Sequence, residues 1–249
     1  MKGRDRFLAE MLENILLPYE TSDIYEEEIY GEFENRFEKE YFQQFLRLAG
    51  PDALVLDLAC GDGRHTLRLS ANIGHVVALD LSDNSLKMAK KKCSGGENIV
   101  FVKASMFDMP FANDTFDGVW FSQAFEYIPP DKRTKFLTCL NRILKPGGLL
   151  YLSVETWMLP SLGASLKMLW GDFRLFCYWR FIKGKPLLWG EYLYYLSSKA
   201  TQTRYSGWHY HAHTDKRTLR KLLNACGFTI SKMCLYDGYV YVSCHKATG

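Results

Sequence analysis

Residues 54–63 read Leu54-Val55-Leu56-Asp57-Leu58-Ala59-Cys60-Gly61-Asp62-Gly63, and they constrain the fold more than any other stretch. A short apolar run carries an acid near its end, small residues and two glycines follow, and a helical pattern starts at Arg64. That order is strand, tight turn, helix. Glycine permits unusual backbone angles and close approach of a ligand to the main chain. Unpaired N–H groups at a helix start attract negative charge. Seventeen residues after Gly63, a second apolar strand, His75-Val76-Val77-Ala78-Leu79, ends in Asp80. A carboxylate at the end of the second strand, roughly 20 residues beyond the glycine turn, suits a ribose diol. The pair of strand ends therefore predicts a site for a polar cofactor.

The spacing departs from the dinucleotide fingerprint Gly-x-Gly-x-x-Gly, because His65 and Thr66 stand where the last glycine belongs. It resembles the first motif of the class I S-adenosylmethionine-dependent methyltransferases, Asp-x-Gly/Ala-x-Gly-x-Gly, at Asp57, Ala59, Gly61 and Gly63. Later blocks fall in the same order. Met109-Pro110-Phe111 with Asp114-Thr115-Phe116-Asp117 resembles the family's Leu-Pro-Phe … Asp-x-x-Phe-Asp passage, and Leu144-Lys145-Pro146-Gly147-Gly148 its turn before the fifth strand. The likeness covers roughly residues 45–155, with a weaker match at 214–246. It implies a three-layer, Rossmann-like α/β fold: a mostly parallel seven-stranded sheet closed by an antiparallel C-terminal hairpin.

Alternating strands and helices from residue 53 onward support that fold class independently. Strands are expected near 54–58, 75–80, 99–103, 117–122 and 148–154, with helices near 64–72, 82–93, 131–144 and 215–226. Ser82 and Asp131 are the expected helix N-caps. The last two strands, near 228–235 and 238–245, meet at Asp237-Gly238 and predict a hairpin. Ahead of the sheet, apolar residues at helical spacing predict a helix over 4–17, stopped by Pro18, and a second over 33–49. The whole reads as one domain: a helical cap (1–50), a cofactor-binding core (51–155), an inserted aromatic-rich lid (156–213) and a closing helix and hairpin (214–249).

Composition excludes several classes. Of 249 residues, 47% are hydrophobic and 24% charged, as in ordinary globular chains, and a net charge of +3 is too weak to imply nucleic acid and does not exclude it. The seven cysteines include no Cys-x-x-Cys pair, which points away from disulfides and zinc and toward a reducing, cytoplasmic setting. The first residues lead into no long apolar segment, so no signal peptide is expected. The apolar stretch Trp157–Trp170 is broken by Pro160, Gly163 and Lys167 and is too short to span a membrane.

The resemblance implies S-adenosylmethionine as cofactor and S-adenosylhomocysteine as product. On it, Asp57, Ala59, Cys60, Gly61 and Gly63 form the turn beneath the amino-acid half. Asp80 takes the ribose hydroxyls and Leu81 packs on the adenine. Ser105, Met106 and Phe107 flank the base, with Asp108 as the alternative acid, and Ser122 and Gln123 approach the methionine moiety. Tyr127, after the fourth strand, is a candidate catalytic residue facing the substrate, as is Glu126. His209, His211 and His213 alternate and share one face of an extended segment. Of these, His209 and His211 are taken as candidate catalytic or substrate-orienting residues, and no metal is assigned. The aromatic insertion, with Trp157, Trp170, Phe173, Tyr192 and Tyr194 among others, suggests a small or medium-sized acceptor with an aromatic or apolar part. Two alternatives stand beside in-line methyl transfer to such an acceptor. One is methylation of tRNA at a wobble uridine, with Lys183, Lys185, Lys199, Arg204, Lys216 and Arg217 as a basic rim. The other is a non-catalytic, methyltransferase-like partner subunit.

Overall fold

The computed structural model describes residues 2–21, 36–196 and 207–248. Tyr25, Tyr30, Lys199 and Arg204, and the start of the second expected helix, lie outside them. Seven strands form the main sheet: β1 (Leu54–Leu58), β2 (His75–Asp80), β3 (Ile99–Lys103), β4 (Phe116–Phe121), β5 (Leu144–Glu155), β8 (Phe228–Tyr236) and β9 (Tyr239–Lys246). Their order is β3-β2-β1-β4-β5-β9-β8, and β9 alone runs antiparallel to its two neighbours. The chain thus starts mid-sheet, winds outward to β3, and returns through β4 beside β1. That reversal opens a crevice at the carboxyl ends of β1 and β4, where ligands of open α/β sheets bind.

Side-chain alternation sorts the sheet's two faces. Leu56, Leu58, Val119, Phe121, Leu150 and Leu152 face α5 (Arg133–Ile143) and α7 (Lys216–Ala225). Val55, Trp120, Tyr151 and Tyr241 face α2 (Arg36–Ala49) and α3 (Arg64–Ser70). The α4 helix (Asp83–Lys92) packs on this second side through Leu86 and Ala78. Ser82 caps α4 as expected, its Oγ accepting the Ser85 N–H at 3.0 Å. Asp237 and Gly238 both take positive φ and make the two-residue hairpin turn.

Two local expectations fail for tertiary reasons. Pro18 does not stop the first helix, and α1 runs Lys2–Thr21. Its last turn is held from outside: the Tyr19 carbonyl accepts Asn84 Nδ2 at 2.9 Å, and Glu20 Oε1 accepts the Asp83 N–H at 2.7 Å. Asp131 does not cap α5, which begins after Lys132. Arg4 takes Asp131 instead, at 2.7 and 3.1 Å, and also reaches Glu191 at 2.6 Å. A bidentate guanidinium–carboxylate pair outweighs a cap worth about 1 kcal/mol.

The insertion carries α6 (Leu162–Cys177), a wide helical turn (Tyr178–Ile182), and a separate two-stranded sheet of β6 (Glu191–Leu196) and β7 (Gly207–Ala212). Phe7, Met11 and Ile15 of α1 pack with Trp179, Leu187, Leu193 and Tyr210 into a second small core. No described helix is long and apolar enough to cross a membrane.

Candidate active site

The turn after β1 is shaped by the helix packed behind it. Gly63 opens α3 at φ 82°, and a Cβ there would lie 2.9 Å from the Ala89 backbone and side chain of α4. Any side chain would push the two helices apart. Asp57 points inward, where Thr66 Oγ1 donates to it at 2.6 Å. Burial, with Asp80 nearby, raises its carboxyl to about 7 against the Thr66 hydrogen bond. Asp80 ends β2 and ties two turns together. The Gly61 and Ser82 N–H groups donate to its two carboxylate oxygens, each at 2.9 Å. Burial raises the Asp80 carboxyl above its ordinary range, and these amides work against the shift. Each oxygen keeps a second lone-pair direction for a donor from the cleft.

A cleft opens in front of these turns. Ala59, Gly61, Asp80 and Leu81 form its back, Ser105, Met106 and Phe107 one side, and Gln123, Ala124 and Tyr127 the far end. Its roof is α1, through Leu12, Ile15, Leu16 and Tyr19. The lining fits S-adenosylmethionine: a strand-end carboxylate for a diol and apolar walls for a base.

Several expected contacts are placed otherwise. Asp57, Cys60, Gly63 and Ser122 are not among the residues that border the cleft. Cys60 is buried, and burial pushes its thiol well up. Ser122 Oγ donates to the fully buried Glu38 at 2.7 Å and pairs with Ser153 Oγ at 3.2 Å. Ser153 Oγ also accepts the Gln123 N–H at 2.9 Å, holding Gln123 at a positive φ of 53° on the cleft wall. Ser105 turns inward to accept the Phe107 N–H at 3.2 Å, and Asp108 is exposed outside the cleft. The insertion, expected as the lid, supplies none of the cleft's lining between residues 156 and 190.

The catalytic candidates are stacked in depth. Tyr127 reaches the cleft, and its hydroxyl meets that of Tyr19 at 3.1 Å. Burial keeps this phenol protonated far above its ordinary range. His209 and His211 do not line the cleft. They pack edge-on against the Tyr127 ring, with centroids at 6.4 and 5.1 Å. Burial lowers His209 to about 4, so it is neutral.

Behind them lies a polar layer that the sequence did not reveal. Glu155, the last residue of β5, sits 2.7 Å from His211 Nδ1 and 3.8 Å from His213 Nε2. The far side of each imidazole meets the insertion. Tyr194 OH lies 3.1 Å from His211 Nε2, and Asp172 Oδ2 lies 2.8 Å from His213 Nδ1. Burial alone would raise Glu155, but the two histidines outweigh it and hold the carboxyl below its usual range. Burial works against charge on His213, yet Asp172 and Glu155 raise it to about 9. Burial and Glu155 together raise neighbouring Glu126 to about 7. Among the described residues, no cluster of His, Cys, Asp and Glu is arranged to hold a metal ion.

A family description for a methyltransferase domain matches residues 55–148. A demethylmenaquinone methyltransferase of Clavibacter sepedonicus is 38% identical over 94 residues, covering 38% of each chain. A protein of the same name from Staphylococcus saprophyticus is 28% identical over 189 residues, covering 75% of this chain and 74% of that one. Residues 55–148 are therefore similar to a methyltransferase domain, and the longer relative extends that likeness over three quarters of the chain. The fold agrees beyond the matched segment. The crystal structure of the N-methyltransferase NodS from Bradyrhizobium japonicum, in complex with S-adenosylhomocysteine, superposes with a TM-score of 0.61 at 14% identity, over 94% of this chain and 98% of that one. The methyltransferase match ends at Gly148, so Glu155 and the whole insertion lie beyond it.

Proposed function

We propose that this methyltransferase moves a methyl group from S-adenosylmethionine to a small acceptor that has an apolar or aromatic part. One observation carries the reading: the strand-end carboxylate of Asp80 and the side chain of Tyr127 line one cleft. When bound, the sulfonium supplies an already activated methyl group. The chain's residues then have to align the reactants, and orientation alone is worth roughly 7–11 kcal/mol. Asp80 holds the diol, and Leu81, Met106 and Phe107 enclose the base. Gln123 and Tyr127 border the place where the acceptor meets the methyl. His209 and His211 are positioning residues that fix the Tyr127 ring.

The acceptor's character is read from the neighbouring space. A second cleft of about 350 Å³ adjoins the first through Leu12, Ile15, Phe107 and Tyr127, and Leu8, Met11 and Phe136 extend its apolar wall. An acceptor reacting beside Tyr127 can place an apolar group there. The relatives' name, demethylmenaquinone methyltransferase, supports a small molecule over a macromolecule.

The test is transfer of labelled methyl to small acceptors graded in apolar length, with bulk tRNA in parallel. Label should pass to the apolar small molecules. Tyr127→Phe should cut kcat at least tenfold while leaving S-adenosylhomocysteine affinity within about twofold. Label entering tRNA alone, or no transfer by protein that binds the cofactor, would overturn the reading.

A further inference from the structure

The α6 helix is amphipathic in the wrong direction for a buried element. Leu162, Leu166, Trp170, Phe173 and Phe181 recur at intervals of three, four and eight, so they form one stripe along α6 and the turn after it. A surface helix normally turns such a stripe to the core. Here these residues and Ile182 are 42–77% exposed. The opposite side is the one tied down: Ser165 Oγ accepts the Leu159 N–H at 2.8 Å, Asp172 pairs with His213, and Trp179 Nε1 donates to the Leu193 carbonyl at 3.1 Å. The helix is therefore fixed with its apolar stripe outward.

Charge narrows what meets that stripe. Residues 156–190 hold five basic side chains, Lys167, Arg174, Arg180, Lys183 and Lys185, and a single acid, Asp172, which His213 engages. The segment thus carries +4, where the whole chain carries +3. Lys167, Arg174, Arg180 and Lys183 are exposed alongside the apolar stripe. A helix with Trp, Phe and Leu on one face, flanked by cations of one sign, suits the boundary between headgroups and acyl chains. At about 1.5 Å per residue, the 21 residues from Leu162 to Ile182 extend roughly 30 Å, enough to lie along that boundary.

We propose that α6 and the turn after it form an interfacial docking surface for an anionic lipid bilayer, on which the protein lies without spanning it. The same insertion supplies His209 and His211, which pack on the Tyr127 ring. Vesicle binding needs neither cofactor nor acceptor, and its outcome is separate from that of the methyl-transfer test.

The experiment is co-sedimentation of the full chain with phosphatidylcholine vesicles, with and without phosphatidylglycerol. Binding to the anionic vesicles should exceed binding to the neutral ones at least tenfold and weaken with salt. Trp170→Glu with Phe181→Glu should abolish binding while the melting temperature and S-adenosylhomocysteine affinity stay unchanged, because both side chains are exposed. Arg174→Gln with Lys183→Gln should weaken binding to anionic vesicles by about fivefold per charge and leave neutral vesicles unaffected. Failure to bind any vesicle, or equal binding by the Trp170→Glu, Phe181→Glu variant, would overturn the proposal. So would a concentration-dependent dimer that this variant abolishes, seen without vesicle binding, since the stripe would then be a protein interface.

Discussion

The two ends of the cleft are built on different physical terms. At the cofactor end, residues close in sequence do the work: Asp57 bonds Thr66, and Asp80 gathers the N–H groups of Gly61 and Ser82. Main-chain geometry and one carboxylate define the site, on strands covered from both faces. At the acceptor end, side chains from β5, α6, β6 and β7 meet in one buried polar layer around Glu155. The first end is set by a turn and tolerates little substitution. The second is set by long-range pairing, and its chemistry can change without disturbing the sheet.

The difference can be broken most severely at Gly61. It lines the cleft at a φ of 55°, which a β-branched side chain resists. Gly61→Val should weaken S-adenosylhomocysteine binding by more than a hundredfold while circular dichroism stays native. Normal affinity in a folded variant would show that the turn does not touch the ligand.

A smaller effect sharpens the other end. His213, raised to about 9, lies above its unfolded value near 6.5. Its stabilisation is fully present below pH 6.5 and is lost as pH rises through 9. At 1.36 kcal/mol per unit, about 3 kcal/mol is at stake, or a fall in melting temperature of roughly 7–14 °C between pH 6.5 and 10. His213→Gln should flatten this slope, and an identical slope would remove His213 from the layer's ionic balance. The smallest effect is expected from Tyr19→Phe, which deletes a hydroxyl contact of 3.1 Å between α1 and Tyr127. It should cost about 1 kcal/mol of stability and change cofactor affinity less than threefold.

The same contrast explains what could be read in the chain. The strand, turn and helix around Asp57, Gly61 and Gly63, and the strand end at Asp80, were legible because each is local and its spacing is fixed by strand and helix geometry. The parallel sheet with its closing hairpin followed from the alternation of apolar runs, whereas the order of its strands came only with the structure. Pro18 and Asp131 misled because contacts more than 60 residues away, Tyr19 with Asn84 and Arg4 with Asp131, decide those helix ends. Glu38, Glu155 and Asp172 gave no signal, since each looks like a surface acid until the sheet brings its partner near. His211 and His213 showed their shared face in the sequence, but not the carboxylates that hold them.

On the proposed reading, the cofactor end works as a unit of its own, with Asp80 as its anchor. Calorimetric titration of S-adenosylhomocysteine into the wild-type protein, Asp80→Asn and His213→Gln tests it directly. Charge-assisted hydrogen bonds of about 1.5–3 kcal/mol predict a loss of roughly ten- to hundredfold in Asp80→Asn, with His213→Gln binding as wild type does. Equal affinity in Asp80→Asn, or a comparable loss in His213→Gln, would contradict the account.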